Sequence, residues 1–262
     1  GMPRLPRLLR RPAGRLVQWG GWMNAARPIN AARRSLGQPP TTDPTRDVLT
    51  LCAWSPTLVP QPDDWPTNRF AVTGHWHLPT RDWEPDPAVV EFLDAGEPPV
   101  HVGFGSMSSF SGTRRLLDTL LAGLGRRRIV LAADPTVISD DHLPETAHRI
   151  TGHVPHEWLF PRCAAIVHHC GAGTAHQATA AGTPSIPVPI SLDQPFWADR
   201  LHRLGVASDP LNPRKPSVDA VQRAVAAAES EPVKLRARQL AQDIAHEDGI
   251  ATAVTCIEKL AR

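Results

Sequence analysis

Residues 166–204, IVHHCGAGTAHQATAAGTPSIPVPISLDQPFWADRLHRL, constrain the fold of this 262-residue chain more than any other stretch. Apolar residues 164–167 read as a short buried strand. Gly171, Ala172 and Gly173 then break the extended pattern, and the small residues 174–181 suit a helix. Such a junction aims several backbone N–H groups at whatever lies over the helix N-terminus, and the helix dipole favours an anion there. Gly182-Thr183-Pro184 stops the helix, and residues 185–188 return as a second buried strand. Asp193-Gln194 follows at the carboxyl end of that strand. Ligands of open parallel sheets bind outside this edge, so the acid and the amide are expected to face the same crevice as the glycine-rich turn.

The alternation continues along the chain. Spacing of apolar residues predicts helices over 13–36, 86–94, 113–124, 156–160, 193–204, 217–228, 232–246 and 249–261. Strands are predicted over 48–53, 70–73, 99–104, 128–132 and 149–151. This pattern implies an α/β domain with a doubly wound, Rossmann-like parallel sheet of five or six buried strands.

The 166–204 unit resembles the donor-binding signature of the nucleotide-sugar glycosyltransferases of the GT-B fold, which have two Rossmann-like domains. The likeness is greatest to the branch holding sterol and lipid glucosyltransferases and antibiotic (natural-product) glycosyltransferases. Further motifs resemble that branch in the right order: LCAWSPTLVPQPDDWP at 51–66, VTGHWHLP at 72–79, PPVHVGFGSMSS at 98–109 and GHVPHEWLFPRCAAIVHHCGAGT at 152–174. All belong to the family's carboxyl-terminal, donor-binding half. The resemblance implies that residues 1–47 are an Arg-rich helical remnant of the amino-terminal domain with its linker, and that 48–262 form the nucleotide-sugar-binding domain. The amino-terminal acceptor domain is then expected to be missing, either because the chain is truncated or because a separate amino-terminal subunit completes a natural short product.

The chemistry follows from what a nucleotide diphosphate sugar demands. Gly171, Ala172, Gly173 and Thr174 offer consecutive N–H donors and a hydroxyl at a helix start, suited to a diphosphate. By resemblance, the His169 imidazole donates to the phosphate nearest the nucleoside and so stabilises the leaving group as charge grows on it. Asp193 and Gln194 combine an acceptor-only carboxylate with a mixed amide, able to hold neighbouring hexose hydroxyls. The competing readings are an N-cap for Asp193 and a place in the core for His169; ligand contact is the favoured reading of both. Ser106 in the GFGSM turn resembles the family's small residue beside the donor phosphate and sugar; it also fits a plain turn serine. His153, Val154 and His156 match the base-binding segment, and Gln177 the ribose-binding position that is Glu in plant-type relatives. His168 reads as structural. No residue fills the role of general base, which is expected in the missing half.

A UDP-sugar, UDP-glucose by resemblance, is the implied co-substrate, with inverting transfer to a hydrophobic, hydroxyl-bearing sterol, lipid or natural product. No cofactor and no metal are expected: His168, His169 and Cys170 are adjacent in an extended segment and point to opposite faces. His75 and His77 share a strand face and read as linker. Nine arginines against Asp43 before residue 47 leave a surplus of eight positive charges, so the rest of the chain is acidic. That head reads as a solvated or domain-packing face; the alternative is a basic helix resting peripherally on an anionic membrane. It carries no nucleic-acid motif. Cys52, Cys163, Cys170 and Cys256 lack C-x-x-C spacing and are expected to be reduced thiols, and no apolar run of membrane-spanning length occurs, which gives a cytoplasmic expectation. Two other readings stay open: a catalytically silent nucleotide-sugar-binding or protein-interaction module, and a nucleotide-sugar epimerase of related fold.

Overall fold

The computed structural model describes residues 6–43, 48–105 and 112–260. The chain divides into two compact units, Gly1–Thr50 with Asp64–Ala71, and Leu51–Asp63 with Val72–Arg262. The first unit carries helix α1 (Arg7–Ser35), which runs through Pro12 and Pro28 and exposes Leu16, Trp19 and Met23. Within this unit the Thr50 amide donates to the Arg69 carbonyl. Strands β1 (Thr50–Cys52) and β2 (Phe70–Val72) form a two-stranded sheet of their own and take no part in the main sheet.

The second unit is built on five parallel strands, β3 (Val100–Gly103), β4 (Ile129–Ala132), β5 (Ala147–Arg149), β6 (Ala165–His168) and β7 (Ser185–Pro187), in the order β5-β4-β3-β6-β7. The first strand of the domain thus lies at the centre and the chain winds outward both ways, with the switch point between β3 and β6. The fifth strand departs from expectation. It spans Ala147–Arg149 instead of 149–151: the Ile129 amide donates to the Thr146 carbonyl and the Ile150 amide to the Leu131 carbonyl, so the ladder with β4 begins two residues earlier than expected.

Helices α2 (Pro87–Asp94), α3 (Thr113–Leu124), α4 (His156–Leu159), α5 (Ala172–Ala180), α6 (Gln194–Arg203), α7 (Val218–Ala228), α8 (Glu231–Ile244) and α9 (Gly249–Leu260) complete the unit. Their starts are chemically marked. Asp86 accepts from the Ala88 amide ahead of Pro87, and Ser217 accepts from the Ala220 amide. On one face of the sheet, Val100, Val102, Leu131, Val167 and Ile186 pack on α3 and α7 through Leu116, Leu120, Leu124, Val221 and Val225. On the other face, Val130 and Ile166 meet Leu159, Phe160 and Ala178. Burial on both sides explains why the strands read as continuous apolar runs. A third cluster joins α5, α6 and α8 through Ala175, Trp197, Leu201, Ala237 and Leu240. Among the described residues, no helix is long and apolar enough to cross a membrane.

Candidate functional site

The predicted residues that are described follow the carboxyl ends of the strands on both sides of the β3/β6 switch point. β6 delivers His169 from its last residue, His168, and Cys170 turns the chain with a left-handed φ of 62°. Helix α5 starts at Ala172, two residues earlier than expected, with Gly171 at its N-cap and no side-chain cap. Its first-turn amides therefore face outward. Among the described residues, a Cβ added to Gly173 would meet no atom within 4 Å, so the first turn is open at that position. Across the switch point, the His169 ring lies 3.5 Å from where a Cβ on Gly105 would stand. Ser106 itself lies outside the described residues.

His169 is half-buried, and its Nδ1 is buried without a partner among the described residues. Burial lowers its pKa, and the nearby Asp193 carboxylate opposes that shift. The two predicted ligand groups are thus electrostatic neighbours. Asp193 is exposed and does not cap α6; its Oδ2 accepts from the Trp197 indole at 2.9 Å. Gln194 is turned inward at 4% exposure, with Oε1 accepting from the Ile190 and Ser191 amides at 2.8 and 3.0 Å. Only its carboxamide nitrogen is left for a ligand.

His156 lies on α4, stacked on Phe160 with ring centroids 4.2 Å apart. Burial, followed by His153 and His169, depresses its pKa to about 4. Val154 is half-buried beside it, and the His153 carbonyl accepts from the Trp83 indole at 3.1 Å. Gln177 lies on α5 and donates to His77 Nδ1 at 2.8 Å, while His77 Nε2 contacts Glu157 Oε2. The linker expectation for His77 thus gives way to a place in this network, and pattern alone picks out neither Glu157 nor Trp83. The HWH spacing held the signal: His75 and His77 do share a face, with rings 6.5 Å apart and 12° from parallel, and His75 stacks on His176 at 4.6 Å.

Beneath the site, His101 on β3 and His168 on β6 lie on one face of the sheet, offset by two residues. Burial pushes both imidazoles down to about 3, so they are neutral. His168 Nδ1 accepts from the Cys170 amide at 3.2 Å and so braces the turn, a structural role. The four cysteines are free, and burial pushes Cys163 up to about 12. Among the described residues no three His, Cys, Asp or Glu side chains converge as a metal would require. A cavity of about 1120 Å³ opens at the opposite, amino-terminal edge of the sheet, lined by Arg126, Arg128 and Arg162 among others; none of the predicted residues reaches it.

An α/β domain with strand order 5-4-3-6-7 and an open helix N-terminus at its switch point belongs to the Rossmann-like architectures. Its structural neighbours are GT-B glycosyltransferases. The glycosyltransferase of kitacinnamycin superposes with a TM-score of 0.70 at 22% identity over 96% of this chain and 65% of that one. The calicheamicin glycosyltransferase CalG4 superposes with a TM-score of 0.62 at 23% identity over 80% of this chain and 53% of that one.

The chain belongs to the EryCIII-like family: residues 116–260 match the profile described as "Erythromycin biosynthesis protein CIII-like, C-terminal domain". It is 35% identical to the O-mycaminosyltylonolide 6-deoxyallosyltransferase of Streptomyces fradiae, over 94% of this chain and 60% of that protein. It is 38% identical to the vancomycin aglycone glucosyltransferase of Amycolatopsis orientalis, over 86% of this chain and 54% of that protein. A sterol 3-beta-glucosyltransferase of Arabidopsis thaliana is 35% identical over 79% of this chain and 32% of its own length. The chain therefore spans about a third to three fifths of these curated relatives.

Proposed function

We propose that this chain is the donor-binding half of a UDP-sugar-dependent hexosyltransferase, with UDP-glucose as donor and a hydroxyl of a sterol, lipid or natural product as acceptor. The observation that carries the reading is the N-terminus of α5, which has no side-chain cap, has no described atom within 4 Å of a Cβ position on Gly173, and has His169 and Asp193 beside it. Three outward amides and the Thr174 hydroxyl suit a diphosphate; the neutral His169 ring adds a donor beside it. Because negative charge grows on the departing diphosphate, donors held there in advance stabilise the transition state more than the ground state. Asp193, with the carboxamide nitrogen of Gln194, suits hexose hydroxyls, and His153, Val154 and His156 suit the base. The glucosyltransferase names of two relatives favour glucose. No described residue near the site is suited to deprotonating an acceptor across from the leaving group, so transfer by this chain alone is expected to be negligible. The four free cysteines favour a reducing, cytoplasmic setting. Calorimetric titration with UDP-glucose tests the reading: saturable binding supports it, and no heat at millimolar donor would overturn it.

A further inference from the structure

We propose that the cavity of about 1120 Å³ at the amino-terminal edge of the sheet, opposite the glycine-rich turn, binds a small polyphosphate, a di- or triphosphate without a nucleoside. The proposal does not depend on the donor reading above.

The cavity is made by connections. Residues 97–98 lead into β3, 126–128 into β4, 162–164 into β6 and 182–184 into β7, so four loops converge under the strand starts. The four residues of β6 alone set about 13 Å between this edge and the one that carries His169.

Its charge is not balanced. Six of the lining residues are Arg or Lys and three are Glu. Arg127 is taken by Glu229, to which its Nε and Nη2 donate at 2.9 and 2.8 Å. Lys234 Nζ and Arg238 Nη2 share Glu231, at 3.5 and 3.9 Å. Glu97 meets Arg128 through its backbone, the carbonyl accepting from Nη1 at 2.7 Å. Arg126, Arg128 and Arg162 are thus left with no carboxylate partner among the described residues. Two of these three are held in place. The Arg128 guanidinium lies 4.3 Å over the Phe92 ring, and that of Arg162 lies 4.5 Å over Trp158, whose carbonyl accepts from Arg162 Nη1 at 2.6 Å. Arg128 Nη2 is buried and has no acceptor among the described residues, so the positive charge at this wall is uncompensated.

These features select the ligand. Planar guanidiniums match the oxygen geometry of phosphate, and a stacked one loses little freedom when it binds. No aromatic side chain lines the cavity among the described residues, so nothing there would stack on a base. Several oxyanion charges facing three unpaired arginines are what it can hold.

The test titrates tripolyphosphate into the chain by calorimetry at low salt, alone and with excess UDP-glucose, in the wild type and in Arg126→Glu and Arg162→Gln. Both positions are exposed, so both variants should melt with the wild type. Saturable binding is expected, should survive UDP-glucose, and should weaken about tenfold or more in each variant, as loss of a hydrogen bond to a charged group requires. Amide NMR locates the ion without any substitution: the signals of Arg126, Gly182 and Thr183 should move, and those of Gly171 and Gly173 should not. Absence of binding, unchanged affinity in both variants, or shifts confined to the glycine-rich turn would each overturn the proposal. Tighter binding of citrate or of an oligo-aspartate peptide than of tripolyphosphate would give the cavity to carboxylates and overturn the phosphate assignment.

Discussion

His169 occupies the space that a side chain on Gly171 would need: a Cβ built there would lie 2.6 Å from Nε2 and 3.3 Å from Cδ2 of the imidazole. The backbone does not require glycine, since Gly171 has φ −60° and ψ 144°, open to any residue. The ring does. Gly171→Ala should push His169 off the switch point while leaving the fold intact. Loss of one hydrogen bond to a charged group is worth about 1.5–3 kcal/mol, so affinity for UDP-glucose should fall about tenfold to a hundredfold. Titration calorimetry beside a thermal melt checks this; unaltered affinity would show that His169 does not contact the donor.

Gly173 offers the complementary case. No described atom lies within 4 Å of its Cβ position, so Gly173→Ala removes a flexible residue from the first turn of α5 without a clash against the described residues. Stability should hold or rise by about 0.5–1 kcal/mol. Donor affinity should nevertheless fall, because the new methyl stands where a phosphate would approach the amides. Equal affinity in this variant would mean that nothing binds over this terminus.

The β6–α5–β7 unit was legible because its signals are local: a buried apolar run, a glycine break, small helix residues and a Gly-Thr-Pro stop. The structure moved the start of α5 only from Thr174 to Ala172. Tertiary partners were not legible. Gln194 and Asp193 are adjacent in sequence, yet the loop at Ile190 and Ser191 consumes one side chain of the pair and leaves the other exposed. His77 and Glu157 stand 80 residues apart, and no spacing rule links them. The position of β5 is hidden for a related reason: AHRIT carries too few apolar residues for its pairing to be read from pattern, and the backbone bonds to Ile129 and Leu131 of β4 are tertiary.

Burial lowers the pKa of His169 and Asp193 opposes it, so an added diphosphate, carrying negative charge to the same ring, should raise it. Binding then takes up protons as pH falls through the region below 6.5. UDP-glucose suits this measurement because its diphosphate diester does not titrate there. Its affinity should rise from pH 7.5 to 5.5, and His169→Gln should abolish the slope. A wild-type affinity that is flat with pH would separate the imidazole from the diphosphate.

The same arithmetic applied to the interior gives the opposite trend for stability. His101 and His168 are held neutral down to about 3, and His75 and His156 down to about 4, in each case chiefly by burial. The unfolded chain protonates histidine near 6.5. Between that value and 3–4 the unfolded state binds more protons than the folded one, so stability is full above pH 6.5 and is lost as pH falls towards 4. Melting temperatures measured from pH 7.5 to 4.5 should decline steadily. His101→Phe should flatten the decline, since a phenyl ring fits the same apolar contact with Phe160, 5.1 Å away, and has no proton to gain. A decline of equal steepness in that variant would assign the acid lability to other groups and not to the imidazoles beneath the crevice.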